Sequence, residues 1–179
     1  MKQLGTLALV FTLLGASPQP RAIDPAQSRA QFSVSHIWVE HVTGTIPIVD
    51  GSVTLAPGSL VPIAATATFD PARVSTGEPD RDRSLASPDF FDAQKYPRWT
   101  FASTNVISKG SDAFEMDGDL TIHGVTKPVR LDGSVRGTTA HPAYRATGEI
   151  DRHQFGMAVT RLDPTIGTTV DLTIDVTLK

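Results

Sequence analysis

Apolar and polar residues alternate with a period of two along several short stretches, and this pattern restricts the fold more than any other feature. The longest run ends the chain, where single Asp and Thr residues separate Val170, Leu172, Ile174, Val176 and Leu178. Successive side chains of a β-strand point to opposite faces of a sheet, so the run predicts a strand with one apolar face. Shorter runs of the same kind occupy residues 30–36, 63–70 and 116–122.

Turn-forming dipeptides separate these runs. Those that contain glycine are Asp50-Gly51, Pro57-Gly58, Lys109-Gly110, His123-Gly124, Asp132-Gly133 and Ile166-Gly167. Such residues supply the positive φ angles and local hydrogen bonds that tight turns need. Many short strands joined by turns are typical of an all-β sandwich or barrel. A final strand as regular as 170–178 needs partners on both edges, and closure into an antiparallel barrel provides them.

Helical signals occur only between residues 80 and 94. Ser87 has the residue type of an N-cap, Pro88 suits the first helical position, and Asp89 suits the positive end of a helix. Tyr96-Pro97 ends the segment, because the residue before a proline disfavours helical geometry. The adjacent Phe90 and Phe91 leave two interpretations open. Either one plugs the barrel while the other covers its rim, or both pack a corner of the core.

The N-terminal segment has the pattern of an export signal peptide. Lys2 precedes an apolar run at 4–14 and small residues at 15–17. The run is shorter than the roughly 20 residues of a membrane-spanning helix, which disfavours the alternative of an uncleaved anchor. The pattern is compatible with two cleavage sites, one near Ala16 and one near Ala22. We therefore expect a signal peptide at 1–22 and one mature domain at 23–179, located in the periplasm or secreted.

The composition excludes several functional classes. The chain has 0 cysteines, which excludes lipoprotein anchoring, disulfides and thiolate metal sites. Its net charge of −3 argues against binding to nucleic acid and against a polybasic membrane surface. No Walker A, dinucleotide-binding or G-x-S-x-G pattern is present, so we expect no enzymatic activity. The histidines lack metal-ligand spacing. His36, on the strand face of Phe32 and Val34, is either a hydrogen-bonded core residue or a headgroup contact.

Two longer segments resemble the YceI-like family. The first contains Arg81-Asp82-Arg83-Ser84-Leu85 and Asp89-Phe90-Phe91-Asp92, followed by Lys95-Tyr96-Pro97 and Phe101. The second is residues 118–129, with the sequence GDLTIHGVTKPV. The opening strand around 23–36 and the R-x-x-F-G motif at 152–156 extend the resemblance over nearly the whole mature chain. Arg83 stands where the family commonly has His, and Ile46 where an aromatic residue is frequent.

The resemblance implies a fold and a ligand class. The fold is an extended antiparallel lipocalin-like β-barrel of about eight strands, with a short helical segment near residues 80–94. The ligand is a polyisoprenoid, such as a prenyl quinone or prenyl diphosphate, or another long-chain lipid in an apolar tunnel. The family further implies a non-catalytic periplasmic carrier that needs no cofactor and has no stable membrane insertion after signal cleavage. Some members are homodimers, and stress response is a discussed role.

Strand parity and the resemblance together predict the residues of the tunnel. The predicted lining consists of Phe32, Val34, His36, Trp38, Ile46, Ala67, Phe69, Phe90, Phe91, Trp99, Phe101, Met116, Leu120, Ile122, Phe155, Met157, Leu172 and Ile174. Headgroup contacts are predicted from Arg81, Arg83 and Arg152, because a guanidinium binds diphosphate through parallel hydrogen bonds. The alternative for Arg81-Asp82 is a structural pair, in which Asp82 caps the helical turn and Arg81 bridges to a strand.

A barrel filled by its own side chains is the competing hypothesis. Small residues at predicted inward positions, among them Ala65, Ala67, Gly118 and Gly156, leave room for a ligand. Composition alone does not distinguish an open lumen from a packed core. A packed core would favour a periplasmic stress-response or interaction module without a ligand.

Overall fold

The computed structural model describes residues 17–36, 40–157 and 163–179. These residues form ten strands: β1 Gln19–Ala22, β2 Arg29–His36, β3 Glu40–Ile46, β4 Ile48–Leu55, β5 Pro62–Phe69, β6 Trp99–Ser108, β7 Ala113–Ile122, β8 Val125–Val135, β9 Ala143–Asp151 and β10 Ile166–Thr177. The helix α1 spans Pro79–Ala86, and short 3-10 helices lie at Pro71–Arg73, Arg152–Phe155 and Asp163–Thr165. None of the described helices has the length and apolar character required to cross a membrane.

All ten strands belong to one antiparallel sheet in the order β1-β4-β5-β6-β7-β8-β9-β10-β2-β3. The sheet curls into a half-barrel, which confirms the predicted all-β antiparallel class. Strand β3 ends this order and β4 is second from its other end, yet only Pro47 separates the two strands in the chain. Proline donates no backbone hydrogen bond, so the ladder breaks there: β3 pairs with β2 and β4 with β5. The break at Pro47 and the short strand β1 explain why the sheet has ten strands rather than the predicted number of about eight.

Strand β1 lies within the segment that sequence analysis assigned to the leader. It pairs with β4 through Gln19 opposite Leu55 and Ala22 opposite Ser52. Cleavage near Ala16 would keep this strand, whereas cleavage near Ala22 would remove it. The residues of the predicted signal sequence from 1 to 16 lie outside the described part of the chain, so the leader stays a prediction.

The apolar faces of the strands meet in the interior of the curled sheet. On β7 every second residue is buried, namely Phe114, Met116, Gly118, Leu120 and Ile122. The opposite face carries ion pairs, including Arg130 with Asp117 and Arg145 with Asp175, each at 2.7 Å. The guanidiniums of Arg130 and Arg145 hold the pKa of Asp117 and of Asp175, respectively, below the ordinary value. Period-two alternation therefore separates an apolar interior from a charged exterior.

The short helix near residues 80–94 is confirmed, but it begins earlier than the Ser87-Pro88 signal predicts. Pro79 takes the first helical position, and Ser87 lies at the C-terminal end, where its hydroxyl donates to the Ser84 carbonyl at 2.6 Å. Ser87 has an extended backbone with ψ 167, as expected for a residue that precedes a proline. The predicted N-cap role of Ser87 is therefore wrong. Both Pro79 and Pro88 carry a helix-start signal, and Pro88 instead stops the helix that Pro79 begins.

Candidate functional site

An apolar cavity of about 130 Å³ runs through the interior of the sheet. Its walls come from β2 to β10, whose inward residues alternate with solvent-facing ones. The predicted residues that line this first cavity are Phe32, Ile46, Ala67, Phe69, Trp99, Phe101, Met116, Leu120, Ile122, Leu172 and Ile174. It is therefore suited to a narrow apolar chain rather than to a polar solute.

A second cavity of about 370 Å³ lies beside α1 and the turn that follows it. The predicted residues that line it are Phe32, Val34, His36, Ile46, Arg81, Phe90, Phe91, Trp99, Ile122, Arg152, Met157 and Leu172. Unlike the first cavity, it has cationic side chains in its wall, Arg81 and Arg152, together with His36 and Ser84. Charge in the walls is therefore confined to one end of the interior.

The two cavities meet at a common ring of side chains. Phe32, Ile46, Trp99, Ile122 and Leu172 line both. Phe91 contacts the ring of Trp99 edge-on, with centroids 4.7 Å apart, and both Phe90 and Phe91 line the second cavity. Neither phenylalanine plugs the first cavity. We call the five shared residues the junction.

Two of the predicted site residues line neither cavity. Phe155 is buried with 2% exposure and lines neither cavity, because it packs in the 3-10 helix that follows β9. Arg83 is exposed on α1 and pairs with Asp80. Trp38 lies outside the described residues. Gly156 has a left-handed φ of 75 at the end of the same 3-10 helix and also lines neither cavity.

Several lining residues were not predicted from the sequence. Phe114 lies two residues before Met116 on β7 and faces the same side of the sheet. Extending the alternating run from residue 116 back to residue 114 therefore predicts it. Ile150, Ile166 and Val170 line the second cavity from β9 and β10. Ile23 and Tyr144 were not predicted because neither belongs to the alternating runs: Ile23 stands outside the named strands, and Tyr144 lies near the start of β9.

The Arg81-Asp82 pair fastens α1 to the segment before it. The Asp82 carboxylate accepts hydrogen bonds from Thr76 N at 2.8 Å and from Thr76 Oγ1 at 2.6 Å. Arg81 Nε donates to Thr76 Oγ1 at 2.8 Å, and Nη2 to the Thr76 carbonyl at 3.3 Å. The predicted helix cap by Asp82 and the bridge from Arg81 to a strand are both wrong: the shared partner is Thr76, in the loop before the helix. Within the described chain no carboxylate forms an ion pair with Arg81, which faces the second cavity.

Arg152 organises the backbone around the second cavity. Among the described residues, its guanidinium donates to three carbonyls: Nε to Gly167 at 2.8 Å, Nη1 to Met157 at 2.5 Å and Nη2 to Ile166 at 3.0 Å. Only 6% of the residue is exposed. The planar fork therefore joins the end of the 3-10 helix region to the start of β10, in addition to lining the cavity.

Glycines let large aromatic rings lie flat against the wall. A Cβ added at Gly44 would overlap the ring of Phe32, which faces it across the β2–β3 ladder. Added Cβ atoms at Gly118 and Gly133 would likewise overlap Phe101 and Phe114. Since the rings occupy the space above glycines, they cover the wall without filling the lumen. This packing explains how an aromatic-rich interior stays open.

We expect Gly44→Ala to narrow the junction. The nearest atoms to the new methyl belong to the side chains of Phe32 and Thr76, so the Phe32 ring moves while the backbone stays in place. Overpacking of this kind costs about 1–3 kcal/mol of stability. A long-chain probe should bind about tenfold more weakly, a loss of about 1.4 kcal/mol. Adding Phe32→Leu should restore binding, and wild-type affinity in the single variant would show that the ring does not border the path of the chain.

No group of three or more metal-ligating side chains lies among the described residues in a position to hold a metal ion. Burial raises the pKa of the Tyr144 hydroxyl, which lines the first cavity, and nearby Arg21 acts in the opposite direction. The interior is thus an apolar channel whose polar groups are concentrated at the end near α1. This arrangement is suited to holding a molecule with a long apolar part.

The fold and this interior define a class of protein: a single curled antiparallel sheet that surrounds an elongated apolar cavity. Residues 22–178 match the model of the YceI-like domain. The chain belongs to the YceI-like family. A UPF0312 protein of Pseudomonas putida (strain W619) is 33% identical over 169 residues, which cover 87% of each chain.

Two solved structures share the fold. The crystal structure of Burkholderia cenocepacia BcnA superposes with a TM-score of 0.79 at 21% identity, covering 88% of this chain and 99% of that one. A polyisoprenoid binding domain from Saccharophagus degradans, implicated in plant cell wall breakdown, superposes with a TM-score of 0.65 at 16% identity. That match covers 88% of this chain and 97% of the other. At these identities the two structures support the fold.

Proposed function

We propose that this protein binds a long-chain lipid, with the apolar chain in the first cavity and the polar head in the second. The observation that carries the proposal is the division of the interior, apolar throughout the first cavity and cationic beside α1 in the second. Membership of the YceI-like family and the structural likeness to a polyisoprenoid binding domain support the same ligand class. A polyisoprenoid is therefore the first candidate, and a fatty-chain lipid the second.

The apolar contact is large enough for tight binding. A prenyl lipid of about 40 heavy atoms, at about 0.3 kcal/mol per atom, gains about 12 kcal/mol, which corresponds to nanomolar affinity. A ligand held this tightly survives purification in the absence of detergent. The narrow first cavity favours a single extended chain over a fused-ring body.

The head of the ligand is proposed to lie against Arg81. This guanidinium is half-buried and faces the second cavity, while its Nε and Nη2 atoms bind Thr76. Its Nη1 donors have no partner within the described part of the chain. A diphosphate, a carboxylate or a quinone oxygen supplies the acceptor that such a group needs. His36 and Ser84 complete the polar side of the cavity.

The cellular role that fits these properties is non-catalytic carriage of the lipid in the periplasm after export. Cleavage near Ala16 is the proposed processing site, since it keeps β1 paired with β4. A homodimer is part of the proposal, by analogy with the family resemblance. The proposal includes a bound lipid and no cofactor.

Native mass spectrometry of protein expressed with its leader and purified without detergent tests the proposal. We expect a mass excess that extracts into organic solvent as a prenyl or fatty compound, and a mature N-terminus near residue 17. Protein delipidated with solvent should take up an added prenyl lipid again. A clean apo mass, with no uptake of prenyl or fatty lipids, would contradict lipid binding and favour an interaction module.

A further inference from the structure

Two buried polar atoms of the interior have no hydrogen-bond partner within the described chain: Trp99 Nε1 and the Tyr144 hydroxyl. Both residues line the first cavity, whose wall is otherwise built almost entirely from hydrocarbon. Buried polar groups in folded proteins are nearly always paired, and an unpaired one lowers stability. Because an indole nitrogen can only donate, Trp99 requires an acceptor.

Trp99 stands where the two cavities meet. It is the first residue of β6, it is 6% exposed, and it belongs to the junction. Phe91 packs edge-on against its ring at 4.7 Å, which limits rotation of the indole. The unpaired donor is therefore held at one position along the channel rather than at a mobile rim.

We propose that Trp99 Nε1 donates a hydrogen bond to an oxygen of the ligand at the point where the head joins the chain. The inference rests on the proposed function: with the chain in the first cavity and the head in the second, the linking atoms lie at the junction. Ester, amide, quinone and phosphoester groups all place an acceptor oxygen there. Trp99 is thus a specificity-determining residue that selects oxygenated lipids over hydrocarbons of equal length.

Tyr144 provides a matched control. It lines only the first cavity, at the start of β9, where Val135 is its partner on β8. Its hydroxyl is also unpaired within the described residues, yet it does not belong to the junction. Tyr144→Phe therefore removes an unpaired buried donor from the same cavity without changing the donor that the proposal assigns to the ligand.

The test uses two probes that differ in one atom. One is a methyl ketone with a saturated eighteen-carbon chain, and the other is the alkene in which a methylidene group replaces the ketone oxygen. The delipidated full-length mature protein, labelled with nitrogen-15, shows the indole N–H signals of its 2 tryptophans, Trp38 and Trp99. We expect the ketone to shift the Trp99 signal downfield, as a new hydrogen bond does, and the alkene to leave it unshifted.

Affinities give the second readout. The ketone should bind the wild-type protein about fivefold more tightly than the alkene, the usual net effect of one intramolecular hydrogen bond. Trp99→Phe should bring the ratio close to one, whereas Tyr144→Phe should leave it near fivefold. If Trp99→Phe does not fold, the wild-type spectra still decide the question.

Three outcomes are distinguishable. A ketone-specific downfield shift with preference for the ketone supports the proposal. Equal binding of both probes with an unshifted Trp99 signal overturns the role of Trp99 and leaves lipid binding intact. If neither the ketone nor the alkene binds, the inference and the proposed function are overturned together.

Discussion

Ala67→Trp should lower the affinity for a long-chain lipid by more than a hundredfold while the protein stays folded. Ala67 lines the first cavity from β5, between Gly51 on β4 and Phe101 on β6. An indole at this position projects into a narrow channel and excludes part of the ligand chain. If about ten heavy atoms of the chain are excluded, the loss is about 3 kcal/mol, which exceeds a hundredfold.

The measurement is uptake of a prenyl lipid by delipidated protein, followed by native mass spectrometry and titration. Ala102→Trp is the matched control, because Ala102 is exposed on β6 and lines neither cavity. Circular dichroism and thermal unfolding establish that both variants are folded. Undiminished loading of a folded Ala67→Trp protein would contradict the assignment of this cavity to the chain of the ligand.

Arg152→Met should destabilise the protein by about 3 kcal/mol or more. Methionine matches part of the volume but leaves the carbonyls of Met157, Ile166 and Gly167 without their donor. Leaving a buried polar group unpaired costs about 1–3 kcal/mol for each group, and water that enters the adjacent cavity reduces the sum. Urea unfolding should show a lower midpoint at an unchanged slope.

Two further variants separate the geometry of Arg152 from its charge. Arg152→Lys retains the charge, but a lysine ammonium does not reproduce three donors in one plane, so most of the destabilisation should remain. Arg83→Met is the control, because Arg83 is exposed and pairs only at the surface of α1. An Arg152→Met protein with wild-type stability would show that these three contacts contribute little. Faster hydrogen exchange at the start of β10 should accompany the loss.

Local sequence patterns predicted much of the sheet. The alternation on β7 and β10 predicts which side chains face inward, because strand geometry sends successive residues to opposite faces whatever the partner strand. The same logic fails in irregular backbone. Phe155 follows the end of β9 in a 3-10 helix, where period two no longer applies, and it packs in the core rather than along a cavity.

The helix shows a second limit of local patterns. Pro79 and Pro88 carry the same start signal, and only the surrounding contacts distinguish them. Asp82 and Arg81 both bind Thr76, and these contacts hold the first turn of the helix that begins at Pro79. Propensity alone could not identify this choice, since it depends on hydrogen bonds made outside the helix.

Amino-acid order alone determined the antiparallel β class, the apolar faces and the cationic character of the segment around Arg81, because each follows from neighbours within a few residues. Tertiary structure decided that the interior is open and divided. The ring of Phe32 lies over Gly44, and the Arg152 guanidinium donates hydrogen bonds to the carbonyls of Ile166 and Gly167 on β10. Whether a large side chain fills a lumen or lies against its wall depends on what faces it from another strand. That contact forms only when the sheet curls and brings distant residues together.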